Sequence, residues 1–124
     1  MTLRPAELKA QTRVTRMFIE ADARDVILLR RTRTDDGAGG IEVGDPVEQF
    51  PQRMRLLPQE DGATERTTSE GESATPQYML MGLPDANMQR YDEFVLDGVR
   101  YEIVYVDDRK YELKGEVIRL GDGV

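Results

Sequence analysis

The chain contains no cysteine, no histidine and no tryptophan. Without cysteine there is neither a disulfide framework nor a thiolate metal site, a composition that fits a reducing compartment. Without histidine, imidazole acid–base chemistry and the commonest zinc ligand are excluded too. Aromatic residues make up only 6%, and no apolar run approaches the ~20 residues of a membrane-spanning helix. The opening run MTLRPAELKAQTR lacks the apolar segment of a signal peptide, so neither classical secretion nor membrane insertion is expected. No catalytic constellation, cofactor or metal is expected, and the chain reads as a non-enzyme.

What is there describes a small polar protein. A chain of 124 residues is expected to form one domain over 1–124, burying roughly two thirds of its unfolded surface. The net charge of -7 is unevenly spread: residues 1–33 carry eight Lys/Arg against four Asp/Glu, a balance of +4, which leaves -11 for the rest. An acidic majority argues against general nucleic-acid binding, which needs clustered cations to displace counterions from phosphates.

The firmest structural signal lies in RYDEFVLDGVRYEIVYVDDRKYELKGEVIRL, residues 90–120, where Asp97-Gly98 separates two apolar runs. Asp-Gly in that setting marks a tight hairpin because both turn positions take positive φ. A β-meander follows, with Gly115 a bulge or close approach in its last strand. Upstream, Arg4 to Ala21 reads as a helix with Pro5 in its first turn and an apolar stripe of Leu3, Ala6, Ala10, Val14, Met17 and Ala21, widened by Phe18. Either the helix simply covers the barrel, or its basic side, carrying Arg13 and Arg16, docks on a neighbouring subunit.

Asp25 to Thr34 reads as a strand that starts inside the core at Val26 to Leu29 and emerges into solvent at Arg31 and Arg33. The connection 35–50 opens with a Gly-rich, flexible hairpin segment that has neither the Gly-Lys-Ser/Thr of a phosphate loop nor the spacing of a calcium loop. Further strands are expected at 52–59 and 78–83. Between them, Glu60 to Pro76 holds no large apolar residue, and five carboxylates, Glu60, Asp61, Glu65, Glu70 and Glu72, against the single cation Arg66. Such a segment cannot bury itself and is expected to be disordered. Asp107-Asp108 is a turn tip rather than a metal site. The sum is a mainly β fold, a small six-stranded antiparallel barrel over 25–120 with an N-terminal helix over 4–21 and long loops at 35–50 and 60–76. Val26, Leu28, Met54, Leu56, Phe94, Tyr101, Ile103 and Val106 are expected in its core.

This order of parts resembles the head-completion or stopper proteins of long-tailed bacteriophages, the head-tail joining family. The resemblance covers most of Asp25 to Leu120: strand DVILLRRTRT, Gly-rich GAGG, strand RMRLLPQ, a long polar loop, strand YMLMGLPD, then RYDEFVLDGVRYEIVYVDD around Asp92, Phe94, Gly98, Tyr101 and Val106. It implies a ring of six or twelve copies in the virion neck, assembled in the host cytoplasm between a portal-bound adaptor and the tail terminator or tail tube. Double-stranded DNA would pass through without specific binding, and the ring would close its channel after packaging. The matching channel-closing loop is 60–76 with Glu60, Asp61, Glu65, Glu70 and Glu72. Arg13, Arg16, Arg30, Arg31 and Arg33 would then serve inter-subunit or adaptor contacts. A generic small β-barrel adaptor shares the strands and needs no such loop. A metal-assisted hydrolase is disfavoured because no carboxylates are spaced to converge.

Overall fold

The computed structural model describes residues 4–60 and 62–122. Helix α1 spans Pro5–Glu20. The strands are β1 (Arg24–Val26), β2 (Leu29–Arg30), β3 (Arg33–Asp35), β4 (Ile41–Val43), β5 (Val47–Glu48), β6 (Gln52–Pro58), β7 (Arg66–Thr67), β8 (Ser73–Ala74), β9 (Tyr78–Gly82), β10 (Glu93–Leu96), β11 (Val99–Asp108) and β12 (Leu113–Asp122). Eight of them form one antiparallel sheet in the order β1-β6-β9-β12-β11-β10-β2-β5, while β3-β4 and β7-β8 are separate two-stranded ribbons. The fold is thus mainly β, as expected, but the closed six-stranded barrel is replaced by a strongly curled, eight-stranded half-barrel.

The physical reason lies in Asp25 to Thr34, which is not one strand. Its start pairs with β6 at one margin of the sheet, and three residues later Leu29 pairs with Glu93 of β10 on the far side. Only Ile27 and Leu28 separate β1 from β2, so the backbone crosses the open side of the curl, where no ladder bonds join the margins among the described residues. Leu28 points inward and is fully buried, whereas Ile27 is exposed, so the run is not apolar on both faces in the way expected.

The meander supplies the body of the sheet. Asp97 and Gly98 take φ of 50° and 77°, the double positive turn that Asp-Gly foretells. Across it Phe94 pairs with Tyr101, their rings stacked 5.1 Å apart, and Tyr78 meets Tyr101 edge-on at 5.4 Å. Burial pushes the Tyr101 phenol above its ordinary pKa, with neighbouring Tyr78 adding to the shift. Gly115 is a close approach: a Cβ there would lie 2.9 Å from Met88 Sδ, so a side chain would displace the core. Val26, Leu28, Met54, Phe94, Tyr101 and Ile103 lie in that core, whereas Leu56 and Val106 are half-buried and pack against its edge.

Helix α1 lies against the sheet in an unexpected rotation. Its buried residues are Thr15 and Ile19, with Leu8 and Thr12 half-buried on the same side. The stripe Ala6, Ala10, Val14, Met17 and Ala21 faces solvent instead. Thr15 donates to Glu112 at 3.4 Å, and Phe18 lies beneath the Arg55 guanidinium at 4.3 Å. Leu3 lies outside the described residues. No described helix is long and apolar enough to cross a membrane.

Candidate functional site

Against the disorder expected from composition, the described part of segment 60–76 carries the β7-β8 hairpin, which sits on the outer face of β11 and β12. The turn is built locally. Thr68 N donates to Glu72 O at 2.7 Å, Glu72 N donates to Thr68 Oγ1 at 3.2 Å, and Gly71 takes the positive φ that closes it. Three attachments then seat the hairpin. Arg66 donates twice to Glu116, at 3.1 and 3.0 Å, with its guanidinium carbon 3.7 Å above the Tyr105 ring. Ser69 donates to Glu102 from its backbone N at 3.1 Å and from its hydroxyl. Arg90 bridges the two layers, donating to Thr67 O at 3.2 Å and to Val104 O at 2.9 Å.

The sheet positions these partners by its period of two. Tyr101, Ile103, Leu113 and Val117 face the core, which leaves Glu102, Val104, Glu116 and Ile118 on the other face. All four of the latter are buried. A buried carboxylate is tolerated only when its lone pairs are used, and the hairpin uses those of Glu102 and Glu116. Hydrogen bonding to Glu116 raises the Arg66 pKa further above its ordinary range, against the opposing cost of desolvation. Of the proposed channel-closing residues, Glu60, Glu65, Glu70 and Glu72 are exposed around the hairpin, and Asp61 lies outside the described residues.

Beside the seat runs a cleft of about 470 Å³ between the hairpin tip, the sheet and the β3-β4 ribbon, lined among others by Arg31, Arg33, Arg100, Glu93, Glu70 and Glu102. Two of its cations share one carboxylate, and the third stacks on an aromatic ring. Glu93 accepts from Arg31 at 3.4 Å and from Arg100 at 3.0 Å, and Arg33 stacks 4.8 Å over Tyr91. Arg30 donates to Asp92 at 3.0 and 2.7 Å, where Asp92 also accepts from Gln89 N at 2.9 Å. Asp92 is 1% exposed, so this pair is an internal strut. Within the subunit Arg30 is held by Asp92 and Arg31 by Glu93, so an intermolecular contact of either would share or displace those pairs. Arg13 and Arg16 differ, standing exposed on α1 with no carboxylate within ion-pair distance among the described residues.

Sequence reasoning missed Glu102 and Glu116 as anchors. Their signal was present, as carboxylates inside otherwise apolar strands, matched by the lone cation of an acidic segment. Chemically, the arrangement fastens peripheral pieces to the sheet; among the described residues no three metal-ligating side chains converge. No protein-family model matches the chain, and a search of curated proteins finds no match.

Proposed function

We propose that the chain is a non-enzymatic structural subunit of a bacteriophage neck, forming a ring between portal-bound adaptor and tail through which double-stranded DNA passes. The observation that carries this reading is the order of parts in RYDEFVLDGVRYEIVYVDD and the segments before it. The sheet is in keeping with it at β6, β9, β10 and β11, which stand where the resemblance places strands, and a polar excursion leaves the sheet between β6 and β9, whereas the first strand of the resemblance is divided into β1, β2 and β3. In this reading the subunit resides in the virion and meets the tail terminator or tail tube on its far side.

The hairpin sets a condition on channel closure. Seated, its cation and its Ser69 are engaged by the sheet, so segment 60–76 obstructs a channel only after leaving Glu116 and Glu102. Its exposed carboxylates would then bar the path by bulk and release DNA without adhesion. Gln59 N donates to Gln77 O at 3.0 Å across the base of the excursion, so deleting 62–74 leaves a short turn and an intact sheet. Phage carrying that deletion are expected to yield filled heads that leak DNA.

A second reading, a small β-module acting as a general protein adaptor, is favoured by one observation, the hairpin lying on its own subunit. Negative-stain imaging of the protein mixed with portal and adaptor separates the two. Rings stacked on the connector support the neck role; a chain that binds neither component abandons it for the adaptor reading.

A further inference from the structure

Two surfaces of the molecule are left unsatisfied, and they are chemically complementary. The first is the outward side of α1. Ala6, Ala10, Val14, Met17 and Ala21 recur at three- and four-residue steps on one exposed stripe, with Met17 at 68% exposure. Lys9, Arg13 and Arg16 border it along one side, and none of them meets a carboxylate among the described residues. The second is the arm from β4 through β5, residues 41–50, where apolar Ile41, Val43, Val47 and Phe50 alternate with Glu42, Asp45 and Glu48. Its apolar members are exposed, Phe50 to 89%, and its three carboxylates pair with no cation among the described residues. The arm also holds the sheet margin, since β5 is the last strand in the order.

We infer that these surfaces bind each other on neighbouring copies of this chain, the cationic apolar helix stripe of one subunit against the anionic apolar arm of the next. Each surface offers apolar area with unpaired charge of one sign, so like surfaces repel while unlike surfaces neutralise each other and exclude water. Because the two patches differ, the contact is heterologous and propagates head to tail. Phe50, with two χ angles and almost all its surface in solvent, is the anchor such an interface needs. The inference deepens the ring reading by naming the faces that meet, and it depends on that reading only for how many copies close the circle.

The test is sedimentation equilibrium of the purified full chain up to about 1 mM, a range in which contacts of about -4 kcal/mol are still detected. The wild-type chain is expected to associate with concentration, and less so at high salt. Met17→Glu, on the helix stripe, and Phe50→Asp, on the arm, are each expected to weaken association at least about tenfold, roughly 1.4 kcal/mol. Both sites are exposed, so circular dichroism melts should stay unchanged; R13E/R16E and E42R/E48R provide a second pair should either variant misfold. Mixing a helix variant with an arm variant leaves one good face on each and should give dimers that grow no further. A monomeric wild type at all concentrations overturns the inference, as does association that survives both variants or responds to only one. Failure to stack on portal and adaptor with self-association intact would instead strike the neck reading alone.

Discussion

At the scale of single residues, the most informative group is Asp92. Its carboxylate is buried and takes both arms of Arg30, so truncating Arg30 strands an uncompensated charge rather than merely losing a contact. Arg30→Ala is therefore expected to cost about 3–5 kcal/mol in urea-induced unfolding, the range for breaking a buried pair. A loss under about 0.5 kcal/mol would place Arg30 among ordinary surface cations. Asp97 is the opposite case. Arg24 donates to it at 2.9 and 2.7 Å in full contact with water, and that bonding holds the Asp97 carboxyl below its ordinary range. Its folded pKa being lower than the unfolded value of about 3.9, the stabilisation is complete above that value and vanishes as the pH falls through the folded one. Asp97→Asn keeps a residue that tolerates the turn, so its melting deficit is expected at pH 7 and should close as the pH falls through the folded pKa of Asp97. A deficit that persists in acid would mean the turn, not the ion pair, had been damaged.

At the scale of elements, strands with a strong local signal were legible in the sequence and docked pieces were not. The Asp97-Gly98 hairpin and the β11-β12 pair follow from turn chemistry and alternation, which act between neighbours in the chain. The face that α1 buries does not: Thr15 and Ile19 are chosen by the sheet, through Glu112 and the flank of β6, over a more apolar stripe on the opposite side. Composition likewise misjudged segment 60–76. It holds no large apolar residue, and its hairpin is seated by long-range polar bonds to Glu102 and Glu116, separated from it by 33 to 50 residues. An element held in this way should open locally before the body unfolds. Arg66→Ala is accordingly expected to raise amide exchange and protease cleavage within 62–76 well before the rest of the sheet responds. Unchanged protection there would show that Ser69 and the turn suffice to hold the hairpin.

At the scale of the whole molecule, two residues connect the opposite sides of the half-barrel. Residues 24–30 fasten to β6 by their first half and to β10 by their second, so Ile27 and Leu28 are the covalent strap between the two margins of the sheet. Leu28 is its inward anchor, with no exposed surface, and it belongs to the same core as Phe94 and Val117. If the strap couples the margins, removing the anchor must weaken both together. Leu28→Ala is expected to cost about 2–5 kcal/mol, the range for a buried Leu truncated without full collapse, and to do so within a single transition. Amide exchange should accelerate equally in β6 and in β10, at opposite ends of the curl. Two separated transitions, or loss of protection confined to one margin, would mean that the sheet holds its curvature from the β11-β12 meander alone and that the strap only follows it.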